Sequence, residues 1–448
     1  MEGSLSRRSV LIGGALGAAA LPLMGTAVLA KPQDTLSPLA AAAREAWLYG
    51  LVLIEMAGSR ERLLRAVPPN RLFTATKLTT PATQTVTTPN NDTIYASSWI
   101  NLSSGPVSIT LPRAGSRYLS VAFMDMYSNN FAILGTRTTG GDGGKFTLVG
   151  PMDATTDPLA IRSPTPWVWM LSRLLVDNEA DLAAANAVHA QLKVEGPAAA
   201  RPNQYAGRSA PWNEYFDSVQ RLIMENPPPA TDAALFRRVA PLGISPRGGF
   251  DAHRYSAAQI QEIEAGIAAA KQSLRSTNGQ GKIVNGWIYP KINLGDFGQD
   301  YFYRAQIALG GLAALPRAEA MYMWPVNDQG TSVFDSSLDW KWTLPGNRMP
   351  PVDAFWSLTM YEATDDGHFF FFDNPINRYA IGDRTPGFMR NGDGGVTIWM
   401  SRTNPVPERR ANWLPLPPRA PFRPVFRAYI PQADLVEGVY QLPPFESA

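Results

Sequence analysis

The chain has 448 residues, of which 40 are basic and 38 acidic, for a formal net charge of +2. That balance excludes a groove tracking nucleic-acid phosphates, which needs a basic surplus, and 45% apolar residues exclude a disordered chain. Cysteine is absent, which removes disulfides, thiolate nucleophiles and zinc–thiolate sites, and the three histidines, His189, His253 and His368, are scattered.

In chain order, Ser6-Arg7-Arg8-Ser9-Val10-Leu11 joins two arginines to a Gly/Ala-rich apolar run ending at Val28-Leu29-Ala30. This predicts a twin-arginine leader over residues 1–30, and a periplasmic or secreted mature protein with no membrane partner. Residues 37–64 read as a helix: Ala40, Ala43, Trp47, Leu51 and Ile54 recur at helical spacing. Ser37 is placed to cap it, with Pro38 at the first helical position. Strand signals follow over 83–88, 94–102, 107–111, 118–126, 131–137 and 146–149, separated by Gly, Pro and Asn. Helical spacing returns over 167–175, 181–192, 212–224, 233–239 and 256–274. Gly279-Gln280-Gly281 reads as a loop. Asp300 is placed to cap a helix whose Phe302, Ala305, Leu309 and Leu312 share a face. From about 326 to 440 short strands and turns return.

The two strand-rich regions resemble each other. Asn91-Asp92 opens the first and Asn327-Asp328 the second. Ser120-Val121-Ala122-Phe123-Met124-Asp125 matches Ser357-Leu358-Thr359-Met360-Tyr361-Glu362, closing acid included. Asn130, Gly135 and Arg137 recur at the same offsets as Asn377, Gly382 and Arg384. Gly141-Asp142-Gly143-Gly144 recurs as Gly392-Asp393-Gly394-Gly395, and both read as hairpin turns. The second unit carries an insertion around 364–373. Two such units are expected to hold a ligand cleft between them.

On a strand, Phe123, Asp125 and Tyr127 project to one side. An acid beside a phenol on an apolar face needs a partner, Arg137 for instance, or a raised pKa suited to a general acid or base. Glu362 is its counterpart, and the two in one cleft would form a carboxylate pair of the glycosidase kind. Tyr95, Tyr127 and Arg304 are expected to orient a ligand. His368, in the run Asp365-Asp366-Gly367-His368, is the histidine best placed for function. Asn90-Asn91-Asp92-Thr93 offers oxygen ligands or an Asx turn. Tryptophans 340, 342, 356, 399 and 413 serve as core or as stacking platforms.

Longer motifs carry a family resemblance. In the first half these are Thr88-Pro89-Asn90-Asn91-Asp92-Thr93-Ile94-Tyr95, Phe123-Met124-Asp125, Gly135-Thr136-Arg137 and Trp169-Met170-Leu171-Ser172-Arg173. In the second they are Asp300-Tyr301 with Arg304-Ala305, Phe355-Trp356-Ser357-Leu358-Thr359-Met360-Tyr361, Asn374-Pro375-Ile376 and Arg427-Ala428-Tyr429-Ile430-Pro431. With these the chain resembles the tandem DUF1254/DUF1214 family from about 37 to 446. The resemblance implies an α+β fold: two related jelly-roll-like antiparallel β domains with a helical insertion between them. It carries over no catalytic residue.

The expected organisation is a leader at 1–30, a first β domain with its helix at 37–165, a helical region at 166–280 and a second β domain at 281–448. The expected function is that of an exported protein with a small-molecule pocket, a hydrolase or lyase using Asp125 and Glu362, with Tyr95, Tyr127, Arg304 and His368 touching substrate. The alternative is a periplasmic binding or scaffold protein for a sugar, lipid or aromatic compound. No cofactor or metal site is assigned. The expected partners are a small-molecule ligand and, at most, a second copy of the chain, not nucleic acid.

Overall fold

The structure, a computed structural model, describes residues 36–82, 87–275, 281–365 and 367–448. The expected leader, most of the expected strand at 83–88 and the loop at 279–280 lie outside them.

Helix α1 (Pro38–Leu64) starts where Ser37 accepts the Ala40 N–H and Pro38 occupies the first turn. It is buried nearly all round, because other helices and a sheet enclose it. Six strands of five residues or more follow: β1 (Thr93–Asn101), β2 (Val107–Leu111), β3 (Leu119–Met124), β4 (Asn130–Gly135), β5 (Gly144–Val149) and β6 (Trp167–Leu175). Four helices come next: α2 (Leu182–His189), α3 (Trp212–Glu225), α4 (Ala233–Val239) and α5 (Ala257–Leu274). A reciprocal Ser256–Gln259 capping box opens α5. Then come β7 (Trp287–Pro290), α6 (Tyr301–Gly310), β8 (Ala320–Pro325), β9 (Trp340–Leu344), β10 (Val352–Ala363), β11 (Ala380–Gly382), β12 (Val396–Ser401) and β13 (Phe422–Pro431). Asp300 caps α6 by accepting the Tyr303 N–H at 3.1 Å.

The protein is α+β, with largely antiparallel sheets. The same strand order occurs twice. In the first unit β1, β6, β3 and β4 lie side by side in one sheet, while β2 and β5 pair in another. In the second unit β8, β13, β10 and β11 lie side by side, while β9 and β12 pair apart. Even the exceptions repeat: β5 pairs in parallel with 161–162, and β12 with 413–415. The registers agree as well, since Ser120 faces Gly135 and Ser357 faces Gly382 across the corresponding ladders.

Three sequence expectations change. Residues 167–175 form strand β6, not a helix, and carry the first unit's large sheet past residue 165. Both faces of β6 are covered, so its apolar run lacks the alternation that marks a half-buried strand. The two Gly-Asp-Gly-Gly runs are not hairpin turns; each carries the chain from the large sheet to the small one, β4 to β5 and β11 to β12. The counterpart of Asp92 is Glu319, the residue before β8, because Asp92 directly precedes β1; Asn327-Asp328 lies beyond β8.

Each unit has an apolar core between its two sheets. The outer face of the first large sheet is divided. Trp99, Trp169 and Leu171 pack under α1 and α3. Tyr118, Ala122 and Leu175 meet Phe355, Ala320 and Tyr429 of the second unit. The rings of Phe355 and Tyr429 stack 4.1 Å apart in that seam.

Candidate functional site

A cavity of about 350 Å³ opens between the two units. Strand alternation builds two of its walls. On β6, Val168, Met170 and Leu174 point into the first core, so Leu171 and Arg173 face outward into the cavity. On β13, Phe422, Phe426 and Ala428 point into the second core, which turns Arg423, Val425 and Arg427 to the cavity. Tyr95 lies opposite Arg173 in the β1–β6 ladder, and Tyr322 opposite Arg427 in the β8–β13 ladder. Each unit therefore contributes one tyrosine–arginine pair in the same register. Helix α6, through Ile307, and segments 311–314 and 87–90 close the remaining sides.

The three cavity arginines differ in how they are held. Arg427 donates Nη1 to Thr359 Oγ1 (2.7 Å) and Nη2 to the Tyr361 hydroxyl (2.6 Å) and the Thr88 carbonyl (3.1 Å). Arg423 donates to Ser332 and lies 3.7 Å over the Phe369 ring. Burial pushes the Arg423 guanidinium down to about 10. Arg173 donates Nη2 to the Ala313 carbonyl (2.9 Å) and lies 5.7 Å from the Tyr95 ring centre, while its Nη1 is buried with no partner. Among the described residues none of the three is in an ion pair with a carboxylate, and no Asp or Glu lines the cavity. The carbonyls taken by Arg173 and Arg427 belong to Ala313 and Thr88, both in the left-handed backbone region at φ 68° and 48°. That conformation is costly for a residue with a Cβ, most of all a β-branched one, and such strain clusters at ligand sites.

The surrounding phenols are donors rather than bases. Burial raises Tyr322 and Tyr429, and pushes Tyr303 up to about 12. The Tyr429 hydroxyl accepts from Asn90 Nδ2 at 2.8 Å. Asn90 also holds its own turn, accepting the Asp92 N–H at 2.7 Å. Asp92 in turn accepts from Ser357 Oγ of the other unit at 2.7 Å. Among the described residues no group of three or more acids and histidines is placed to hold a metal.

Of the expected catalytic and substrate-binding residues, Tyr95 alone lines the cavity, joined by Asn90 of the expected oxygen-ligand run. Asp125 lies just past β3 in a tight turn, where Oδ1 accepts the N–H groups of Tyr127 and Asn129, both at 2.9 Å. Burial raises its pKa and those hydrogen bonds oppose the rise. Tyr127 and Arg304 do join Asp125, in a separate buried knot under α1. There Tyr127 donates to the Asn226 carbonyl (2.8 Å), and the Arg304 guanidinium lies 5.9 Å from the Tyr127 ring centre and donates to the Gly298 carbonyl. Glu362 lies near the end of β10 opposite Phe422, on the face turned away from the cavity. His368 stacks on Phe370, with ring centres 5.6 Å apart, in the inserted hairpin. Asp125 and Glu362 thus do not form the expected facing pair: the first is capped by its own turn, and the second lies on the other side of its strand.

The arginines of the cavity were not expected. Their signal was cations inside otherwise apolar strands, Arg173 alone within 167–175 and Arg423 with Arg427 within 422–431. A helical reading of 167–175 hid the first.

The model of the family described as "Protein of unknown function (DUF1254)" matches residues 69–196, and that of "Protein of unknown function (DUF1214)" matches 319–433. The fold is similar to the crystal structure of the VPA0106 protein from Vibrio parahaemolyticus, at 21% identity and a TM-score of 0.69, covering 92% of this chain and 100% of that one. A crystal structure of an uncharacterised protein from Burkholderia cenocepacia is 14% identical over 92% of this chain and 94% of that one, with a TM-score of 0.45. No curated protein matches.

Proposed function

We propose that this chain, a tandem DUF1254/DUF1214 protein, binds a small organic molecule in the cavity between its two β units. The observation that carries this reading is the cavity itself. Its size falls at the low end of the roughly 300–1,000 Å³ common for small-molecule sites. Its wall is mostly aliphatic and aromatic, with a few polar groups converging from both units. A site shared between two units is where such pockets concentrate.

The two units are read as duplicated jelly-roll-like sandwiches, with the helices α2 to α5 inserted between them. The twin-arginine motif at Ser6–Leu11 supports a periplasmic or secreted location. Binding is favoured over carboxylate acid–base chemistry because no acid lines the cavity among the described residues. A thermal-shift screen of the full chain against small organic molecules, followed by recovery of each hit, tests this. The expected hits raise the melting temperature, are recovered intact, and lose their effect in Ile307→Trp, which fills the cavity from α6. Hits that stabilise Ile307→Trp equally would place binding elsewhere, and hits recovered as products would make the protein an enzyme.

A further inference from the structure

We infer that the cavity selects a monocarboxylate with an alkyl or aryl body, its head held by Arg173 together with the hydroxyls of Tyr95 and Tyr322; this rests on the small-molecule reading above.

Three guanidinium groups line one cavity, and among the described residues no acid lines it. A buried cation is tolerated when it is paired or fully hydrogen-bonded. Arg427 meets that condition through Thr359, Tyr361 and Thr88, and Arg423 is held by Ser332 and the Phe369 ring. Arg173 does not. It is 6% exposed, has no ion pair, and its Nη1 has no acceptor. This leaves Arg173 Nη1 as a cationic donor of the cavity wall without an acceptor among the described residues.

Two more donors converge there. Tyr95 faces Arg173 across the ladder, and Tyr322 lies within electrostatic reach of both Arg173 and Arg427. Neither hydroxyl has a hydrogen-bond partner among the described residues, and burial keeps Tyr322 protonated. The Arg173 Nη1 and two phenol O–H groups are the donors of this wall left without an acceptor among the described residues. A carboxylate offers two oxygens and one charge, so it is satisfied by that set. A phosphate monoester presents three terminal oxygens, more acceptors than a carboxylate's two and more than this set of donors satisfies. Leu171, Leu294, Ile307, Leu312 and Val425 cover the rest of the wall and suit a hydrocarbon or aryl body.

The strained carbonyls add a geometric reason. Arg173 is anchored through Nη2 by the Ala313 carbonyl while its Nη1 has no acceptor. The head group is therefore assigned to Nη1, with the phenols completing its shell.

Isothermal titration of the full chain with matched pairs tests this: octanoate against octanamide, and 3-phenylpropanoate against 3-phenylpropanamide, with octyl phosphate as a third head group. The expected result is that each carboxylate binds at least about tenfold tighter than its amide and tighter than the phosphate. In Arg173→Met the carboxylate preference disappears, while amide binding is retained. Because the wild-type pairs alone decide the head-group claim, it stands or falls even if the variant does not fold. Equal binding of acid and amide, or tighter binding of the phosphate, overturns the carboxylate inference and leaves the cavity reading intact. Binding of none of the probes, with Ile307→Trp unchanged in the small-molecule screen, overturns both.

Discussion

Arg173 and Arg427 occupy equivalent positions and should respond oppositely to mutation. Removing Arg173 forfeits one bond to the Ala313 carbonyl, about 1 kcal/mol, but relieves a buried guanidinium whose Nη1 has no acceptor, which costs about 1–3 kcal/mol or more. Arg173→Met is therefore expected to raise the stability of the ligand-free protein in urea denaturation. Arg427→Met breaks bonds to Thr359, Tyr361 and Thr88 and should lower it by about 2–4 kcal/mol. Asp125 gives a second contrast. Its carboxylate closes a turn by taking two backbone N–H groups, so Asp125→Ala should cost about 1–3 kcal/mol yet leave ligand affinity unchanged. His189 gives a third. It is buried beside Ser172, its Nδ1 has no partner, and burial lowers its pKa to about 4. The unfolded chain binds that proton near pH 6.5, so the unfolded state holds more protons between pH 6.5 and 4. Stability is thus full above pH 6.5 and falls on acidification by about 3 kcal/mol at pH 4. Denaturation curves of His189→Gln should lose most of that slope.

At the scale of elements, the repeat is enforced by backbone as well as by side chains. Gly135 ends β4 against β3, and Gly382 ends β11 against β10. A Cβ at either would collide with a carbonyl oxygen, of Leu119 or of Trp356. Alanine at either position should cost about 2–4 kcal/mol and should unzip the edge strand first, which hydrogen exchange of 130–135 or 380–382 would register. These glycines, with the arginines two residues on, were legible in the sequence because a fixed offset in two places is hard to produce by chance. The helices were legible too, since Ser37, Ser256 and Asp300 announce their caps in the residues themselves. Strand β6 was not. Its burial on both faces erases the period-two signal, and only its pairing between β1 and β3 shows it to be a strand. Asp125 met a different limit: alternation assigns a face only while the strand lasts, and β3 ends at Met124, one residue before Asp125.

At the scale of the whole molecule, buried polar pins lock the two units at their seam. Glu319, 1% exposed, takes Arg137 Nε at 2.6 Å and the Tyr118 hydroxyl at 2.9 Å, both from the first unit. Asp92, its counterpart in the repeat, takes Ser357 from the second. Arg384 reaches back to Asp177 at 2.8 Å. Glu319→Ala leaves Arg137 and Tyr118 without their acceptor and should cost about 2–3 kcal/mol. Because the cavity exists only while the units are docked, the same variant should weaken ligand binding without touching the cavity wall. The central claim is that the seam holds a carboxylate at Arg173, and a crystal structure grown with octanoate tests it most directly. The account predicts density for one molecule between the units, with a carboxylate oxygen within hydrogen-bonding distance of Arg173 Nη1 and the chain along Leu171 and Ile307. An empty cavity, or a ligand whose carboxylate points away from Arg173, would contradict it.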